Sequence, residues 1–358
     1  MKIKKIALTT IVVILILLLS LSIFIYSITM HPPEIKKEAI IGADTVSILE
    51  AAQQVKVLSW NVQYMAGKEY VFWYDELDNS GPDIAPSREN IEKTFGEVVR
   101  VIQDEEPDMI LLQEVHDGAK RTFKEDQLKR LLEFLPDEYS CYTQAFYWKA
   151  RYVPIKQIMG SVGMKLVVIS KYKIDNAIRH QLAKMPKNIL ERQFQFKRAV
   201  LEVHLPVKGG KSLVLMNTHF DAFAQGDDTM QKQAAEVDAL LKSLTIKQHP
   251  YAIAGDFNLI PPGTYALYND KEKAYYNPNT EIKVLFDKYN AIPALEDTLG
   301  EERENWFTHF PNRIDKPDRT IDYFFYSDNL VLIDKYIRQH DTLKISDHLP
   351  VAAVFQLP

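Results

Sequence analysis

Residues Ile6 to Met30 form an uncharged run of 25 residues, most of them Ile, Leu, Val or Phe. As a helix rising ~1.5 Å per residue this run is about 37 Å long, enough to cross a ~30 Å hydrocarbon core with some tilt. Lys2, Lys4 and Lys5 precede it. The positive-inside tendency therefore places residues 1–5 in the cytoplasm and sends the rest of the chain outward. The rival reading is a cleaved signal peptide, for which the run is long and Ser27-Ile28-Thr29-Met30 a poor cleavage site. That reading leaves a secreted domain. Pro32-Pro33 ends the helix, and residues 31–54 read as a polar linker.

From Val55 onward, runs of strand-like and helix-like periodicity alternate. Val55 to Trp60 predicts a strand. Ser87 predicts the cap of a helix whose apolar positions are Ile91, Phe95, Val98 and Ile102. Asp108 to Leu112 fits a buried strand, and Gln127 to Leu135 a helix. Val200 to Pro206 and Ser212 to Met216 predict a hairpin across Gly209-Gly210. Thr229 to Leu244 reads as a helix. Tyr251 to Ala254, Ile321 to Tyr326, Leu330 to Ile333 and Val351 to Phe355 complete the strands. A longer echo runs through this pattern. Leu58-Ser-Trp-Asn61 leads through a helix to Ile110-Leu-Leu-Gln-Glu114, and Leu215-Met-Asn217 leads through a helix to Ile253-Ala-Gly-Asp256. Two such halves facing each other bring their polar strand ends to one rim, where open α/β sheets place ligands.

Composition adds limits. The 358 residues contain one cysteine, so an internal disulfide and a cysteine-rich zinc site are excluded. Lys plus Arg number 43 against 48 Asp plus Glu, a net charge of −5. Without the three leading lysines the balance is 40 to 48. That argues against a protein gripping long stretches of nucleic acid through its phosphates.

The candidate chemistry lies at the strand ends, in Asn61, Glu114, Asn217, His219, Asp221, Asp256, Asn258, Asp322, Asp347 and His348. Singly each has a plain explanation. Asn61 or Asn258 fits a turn, Glu114 a solvated strand end, Asp347 an Asx-turn, and His219 or His348 a structural histidine. The other seven histidines, His31, His116, His180, His204, His249, His309 and His340, are read as structural. Together the ten offer hard oxygen donors suited to Mg²⁺, or Mn²⁺, rather than zinc. They also offer two imidazoles for stabilising or protonating a phosphoryl oxygen.

The motifs Leu58-Ser-Trp-Asn61, Leu112-Gln-Glu114, Asn217-Thr-His219, Gly255-Asp-Phe-Asn258, Arg319-Thr-Ile-Asp322-Tyr and Ser346-Asp-His348 stand in one order from Val55 to the C-terminus. Val167-Val-Ile-Ser170 and Arg198, leading into a strand, support them. In this the chain resembles the endonuclease/exonuclease/phosphatase superfamily, the DNase I-like fold. The resemblance implies a four-layer α/β/β/α sandwich over residues 55–358, following the transmembrane anchor at 6–30. It implies that Glu114 is the principal metal ligand, helped by Asn61, with Asp347 a further ligand or support. It implies that Asp256 orients or deprotonates the attacking water, and that Asn258 and Asn217 hold phosphate or water. His348 would stabilise the pentacovalent phosphorus with Asp322 orienting its ring, and His219 would contact a phosphate oxygen or aid the leaving group. One or two metals remain open. Asp221 has no family role and reads as a solvated loop acid. Lys165 departs from the small residue usual near its place and reads as solvent-facing.

The expected function is a membrane-anchored, extracytoplasmic, Mg²⁺-dependent phosphodiesterase or phosphatase. Aromatic clusters at Tyr70-Val-Phe-Trp-Tyr74 and at Tyr139, Tyr142, Phe146, Tyr147, Trp148 and Tyr152 suit a lipid or lipid-linked phosphoester, although core packing explains them equally. An extracytoplasmic nuclease is the alternative, for which Lys149, Arg151, Lys156 and Lys165 would supply a local basic stripe. A non-catalytic binding module on the same scaffold is the third reading. It would be expected to lose Glu114, Asp256 or His348, and all three are present. No protein partner is inferable.

Overall fold

The computed structural model describes residues 2–42, 45–68, 70, 84–222 and 226–358. The strands are β1 (Ile35–Lys37), β2 (Ile40–Ile41), β3 (Gln54–Asn61), β4 (Met109–His116), β5 (Cys141–Val153), β6 (Gly160–Ser170), β7 (Asn176–Gln181), β8 (Ala199–Leu205), β9 (Leu213–His219), β10 (Tyr251–Asp256), β11 (Asn290–Ile292), β12 (Asp322–Tyr326), β13 (Val331–Ile337) and β14 (Val351–Gln356). They form two seven-stranded sheets, ordered β13-β14-β3-β4-β6-β5-β2 and β1-β7-β8-β9-β10-β12-β11. The helices used below are α1 (Lys2–Ile28), α2 (Arg88–Glu105), α3 (Gln127–Phe134), α4 (Glu191–Phe194) and α5 (Thr229–Ile246).

Each central strand is apolar on both faces because it divides two cores. Val57, Leu111 and Val168 of the first sheet meet Leu201, Leu215 and Ala254 of the second between the sheets. The alternate residues Leu58, Ile110 and Leu112 pack outward against Phe95, Val98 and Ile102 of α2 and Leu128 and Leu131 of α3. On the far side Val214, Met216 and Ile253 pack against Val237 and Leu241 of α5. The layers therefore run α/β/β/α, as the resemblance implied. Burial of such side chains is worth roughly 1.5–3 kcal/mol each. The Ser87 hydroxyl caps α2 by accepting from the Asn90 N–H at 3.0 Å. Left-handed Glu106 ends the helix, its N–H reaching the Ile102 carbonyl at 3.0 Å.

The echo in the sequence is two parallel strand pairs. β3 runs parallel to β4 with α2 between them in the chain, and β9 runs parallel to β10 with α5 between them. β8 and β9 form the predicted antiparallel hairpin, with Gly209 at φ +74° in its turn.

Two expectations are corrected. Residues 31–54 are not a free polar linker along their length. β1 adds to the edge of the second sheet by pairing with β7, and β2 adds to the first by pairing with β5. Leu49 N–H then binds the Pro206 carbonyl at 3.1 Å. Lys165 is fully buried instead of facing solvent, its ammonium 2.8 Å from Asp126 and 3.4 Å from Asp117. Two carboxylates compensate a charge that burial alone would not tolerate. Of the second aromatic cluster, Tyr139 and Tyr147 are buried and Tyr152 is exposed. Tyr70 is also buried, and residues 71–74 lie outside the described residues.

Helix α1 is long and apolar enough to cross a membrane over Lys4–Ile28, and its side chains are exposed along nearly the whole length. It ends against the sandwich. Met30 N–H binds the Lys149 carbonyl at 3.1 Å, and Thr29 bridges to Ala150 of β5.

Candidate active site

The C-terminal ends of the two parallel pairs meet. Asn61 ends β3 and Asp256 ends β10, and the Asn61 Nδ2 donates to Asp256 Oδ2 at 3.1 Å. The Asn61 Oδ1 accepts from the Gln63 N–H at 3.0 Å, so both ends of the amide are fixed. Asp256 Oδ1 accepts from the Asn258 N–H at 2.9 Å. His219 Nε2 lies 3.2 Å and His348 Nε2 3.5 Å from Asp256 Oδ2. Burial lifts the Asp256 carboxyl to about 7, with the His348 charge working against the rise.

This approach of backbones requires a glycine before the acid. Gly255 has φ +145°, and a Cβ there would stand 2.0 Å from the Thr218 carbonyl oxygen. Asn258 follows in the left-handed region at φ +53°, its Nδ2 donating to the Phe220 carbonyl at 3.1 Å. Its Oδ1 has no donor among the described residues.

Glu114 is placed by a break in β4. The pairing of β4 with β6 shifts register between Leu112 and Val115, and Glu114 takes φ +58°. A bulge of this kind turns a side chain off the face that strict alternation would give it. Burial first, then the charge of Asp347 and that of Asp256, lifts the Glu114 carboxyl to about 7. Burial also raises that of Asp347.

The two histidines are held in different protonation states. His348 Nδ1 is 2.8 Å from Asp322 Oδ2, and strand register sets Asp322 directly beside Asp256. Burial opposes the charge on His348, yet Asp322 and Asp256 prevail and lift it to about 10. It is an imidazolium at neutral pH. His219 is pushed well below the ordinary range by burial, then by the charges of Arg198 and His348, and is neutral. With its Nε2–H donating to Asp256, its Nδ1 accepts from the Tyr147 hydroxyl at 3.2 Å.

Asn217 departs from its expected role. It is fully buried, with Nδ2 donating to the carbonyls of Leu112 and Val167 at 2.9 Å each and Oδ1 accepting from Gln113 Nε2 at 2.7 Å. These bonds bolt one sheet to the other and leave no polar atom for phosphate. Asp221 is buried rather than solvated, and binds Arg198 Nε at 3.2 Å and Gln233 Nε2 at 2.9 Å.

Three residues were not singled out for the site. Arg198, noted only as a motif match, is buried over the Tyr147 and Phe196 rings, and its NH1 has no hydrogen-bond partner among the described residues. Its strand-leading position is the one signal for it. Tyr147 stood inside an aromatic cluster. His309, read as structural, packs its ring 4.5 Å from that of His348 at 63°. Nothing in the sequence around Tyr147 or His309 marks either contact.

Two trios could surround a cation, Asp256 with Asp322 and His348, and His309 with Asp347 and His348. Both depend on His348, and a protonated imidazole is not a ligand. Glu114 and Asp347 fit a divalent cation better. They are hard oxygen donors whose mutual repulsion raises Glu114, and a cation would relieve it.

A model of the Endonuclease/Exonuclease/phosphatase family matches residues 58–348. Among solved structures, an endonuclease/exonuclease/phosphatase from Beutenbergia cavernae is similar at 20% identity and TM-score 0.56, covering 85% of this chain and 72% of its own. An endonuclease/exonuclease/phosphatase family protein from Leptotrichia buccalis is similar at 18% identity and TM-score 0.54, with 84% and 99% covered. The human Nocturnin catalytic domain with bound sulfate is similar at 18% identity and TM-score 0.51, with 91% and 99% covered. At these identities the likeness is one of fold. No curated protein sequence matches the chain.

Proposed function

The chain belongs to the endonuclease/exonuclease/phosphatase family, whose members are generally phosphoester hydrolases, and from that premise we propose that it is a membrane-anchored, extracytoplasmic, Mg²⁺-dependent phosphodiesterase acting on a lipid or lipid-linked phosphoester. The observation that carries the reading is the gathering around Asp256 of two imidazoles, one charged and one neutral, and the Asn61 amide. Its carboxyl, raised by burial to about 7, is a strong enough base to take a proton from water near neutral pH. The Asn258 Oδ1 accepts a hydrogen of that water and orients it. His348, charged and fixed by Asp322, donates to the phosphoryl oxygen on which negative charge grows. The buried Arg198 guanidinium, whose charge bears on Glu114 and His219, adds positive potential beside that group. Neutral His219 keeps Asp256 in place, and Tyr147 keeps His219 in its tautomer.

Glu114 and Asp347 are the residues that would hold Mg²⁺ or Mn²⁺. When bound, such an ion polarises a phosphoryl oxygen and neutralises developing charge. The lipid reading is supported by the apolar helix and by the acidic balance of the remainder. A nuclease reading uses the same groups, but burial of Lys165 takes one member from the basic stripe it needs.

The experiment is a hydrolysis screen of the full chain in detergent with Mg²⁺. Its substrates are sphingomyelin, phosphoinositides, plasmid DNA and a chromogenic bis-phosphodiester, with Glu114→Gln as control. The full chain is used because β1 and β2 precede Val55. Turnover on a lipid that EDTA and Glu114→Gln both remove is expected. DNA cleaved in preference to every lipid, or turnover indifferent to EDTA, would sink the proposal.

A further inference from the structure

The end of α1, the tip of β5 and the segment before β8 occupy one corner of the sandwich. Thr29 bridges to Ala150. Ala150 packs in a small cluster with Val153 and Val162, which Trp148, Ile158 and Phe194 close. The Trp148 indole donates to the Phe194 carbonyl at 2.7 Å, tying α4 to β5. Around this corner the surface is unusually apolar. Ile189 is 70% exposed and Leu190 60%, and Tyr152, Ile155 and Met159 are exposed beside them. The same two segments are basic in a protein that is acidic overall. Residues 147–160 carry Lys149, Arg151 and Lys156 and no acid. Residues 182–192 carry Lys184, Lys187 and Arg192, all exposed, against Glu191 alone.

Exposed apolar side chains interleaved with lysine and arginine make up a surface that fits an anionic leaflet. Their position decides what covers them, since they adjoin the last turn of a helix long enough to span a bilayer. We propose that the β5–β6 loop (residues 154–159) and the segment 184–192 dock onto the anionic lipid surface from which α1 emerges. This deepens the proposed function and rests on its reading of α1 as an anchor. The consequence concerns substrate access. Tyr147, which touches His219, and Ala150, which meets Thr29, are three residues apart on β5, a span of roughly 10 Å. Docking thus holds the phosphate-binding groups within reach of lipid headgroups, so the site draws on a substrate in the same leaflet.

The test uses the full chain in phosphatidylcholine vesicles with and without phosphatidylglycerol, doped with headgroup-spin-labelled lipid. Cys141, the single cysteine, is buried, so a fluorophore reports from an introduced cysteine. Labels are placed at Ile155→Cys, Leu190→Cys and Ile333→Cys. Ile333 is exposed on β13, five strand positions from β5 and so about 24 Å away. In anionic vesicles the labels at 155 and 190 should be quenched at least ~3-fold more than the label at 333, and Lys156→Glu with Lys187→Glu should remove the difference. Quenching at 155 and 190 no greater than at 333, or unchanged without phosphatidylglycerol, overturns the proposal. So does self-quenching at 190 that grows with protein density, which would mean that a second copy covers the surface. The readout is contact with lipid, so its failure leaves the hydrolytic reading intact, and loss of turnover leaves docking intact.

Discussion

Asn61 donates to Asp256 across the seam between the two sheets, at 3.1 Å and 195 residues apart in the chain. Each residue ends a parallel strand pair, so the bond fixes the relative height of the two halves. A slip of one residue in either strand would turn one of the two away from the site. The site is therefore a product of sheet register before it is a product of any loop.

The Asp322–His348 pair sets an alkaline limit. His348 holds its proton to about pH 10 in the free protein because Asp322 and Asp256 outweigh burial. Asp322→Asn removes one of those charges and the 2.8 Å bond. The alkaline limb of kcat/KM should then move down by at least about one pH unit, with kcat at pH 7 reduced roughly 10²-fold or more. An unmoved limb would show that His348 does not act as the cation.

Metal affinity should depend on pH. Glu114 must lose its proton to bind a cation, and its carboxyl is raised to about 7. Mn²⁺ affinity measured calorimetrically on the full chain should be level above pH 7 and fall about tenfold per unit below it. Glu114→Gln should weaken binding at pH 8 and flatten this slope. Wild-type affinity that is constant from pH 5 to 7 would contradict the ligand assignment.

Gly255→Ala tests the close approach behind the base. The added methyl meets the Thr218 carbonyl oxygen at 2.0 Å, and the backbone at φ +145° disfavours any Cβ. A stability loss of about 3 kcal/mol or more is expected in urea unfolding followed by tryptophan fluorescence. A variant with wild-type midpoint and activity would mean that the strands yield more readily than their bonds suggest.

Glu202 offers a stability test away from the site. Burial alone would raise its carboxyl, but His180 at 2.9 Å and His204 at 2.6 Å hold it at about 2, against an ordinary 4.5. A depressed carboxyl stabilises the fold above its unfolded value and loses that contribution as pH falls through its folded value. Glu202→Gln should therefore cost roughly 1–3 kcal/mol at pH 7, less at pH 3, and nearly nothing near pH 2. A cost that does not shrink with acidification would locate the effect in packing.

The two strand–helix–strand units, the C-terminal strands, the apolar anchor and most of the polar strand ends follow from the chain itself, whereas β1, β2, β5, β6, β7 and β11 do not. Apolar periodicity reports which face is buried, and short motifs such as Gly255-Asp-Phe-Asn258 hold their chemistry within a few bonds. The parallel pairing of β3 with β4 and of β9 with β10 could be read from the repeated pattern for the same reason. What only the tertiary structure decided depends on contacts between distant segments. It turned Asn217 into a bolt between sheets, buried Lys165 between Asp126 and Asp117, and joined Asp221 to Arg198. It carried Tyr147 and His309 to the two site histidines, and laid residues 35–41 along both sheet edges. A polar side chain's role is set by the partners that burial gives it, and those partners lie tens to hundreds of residues away, beyond the reach of local pattern.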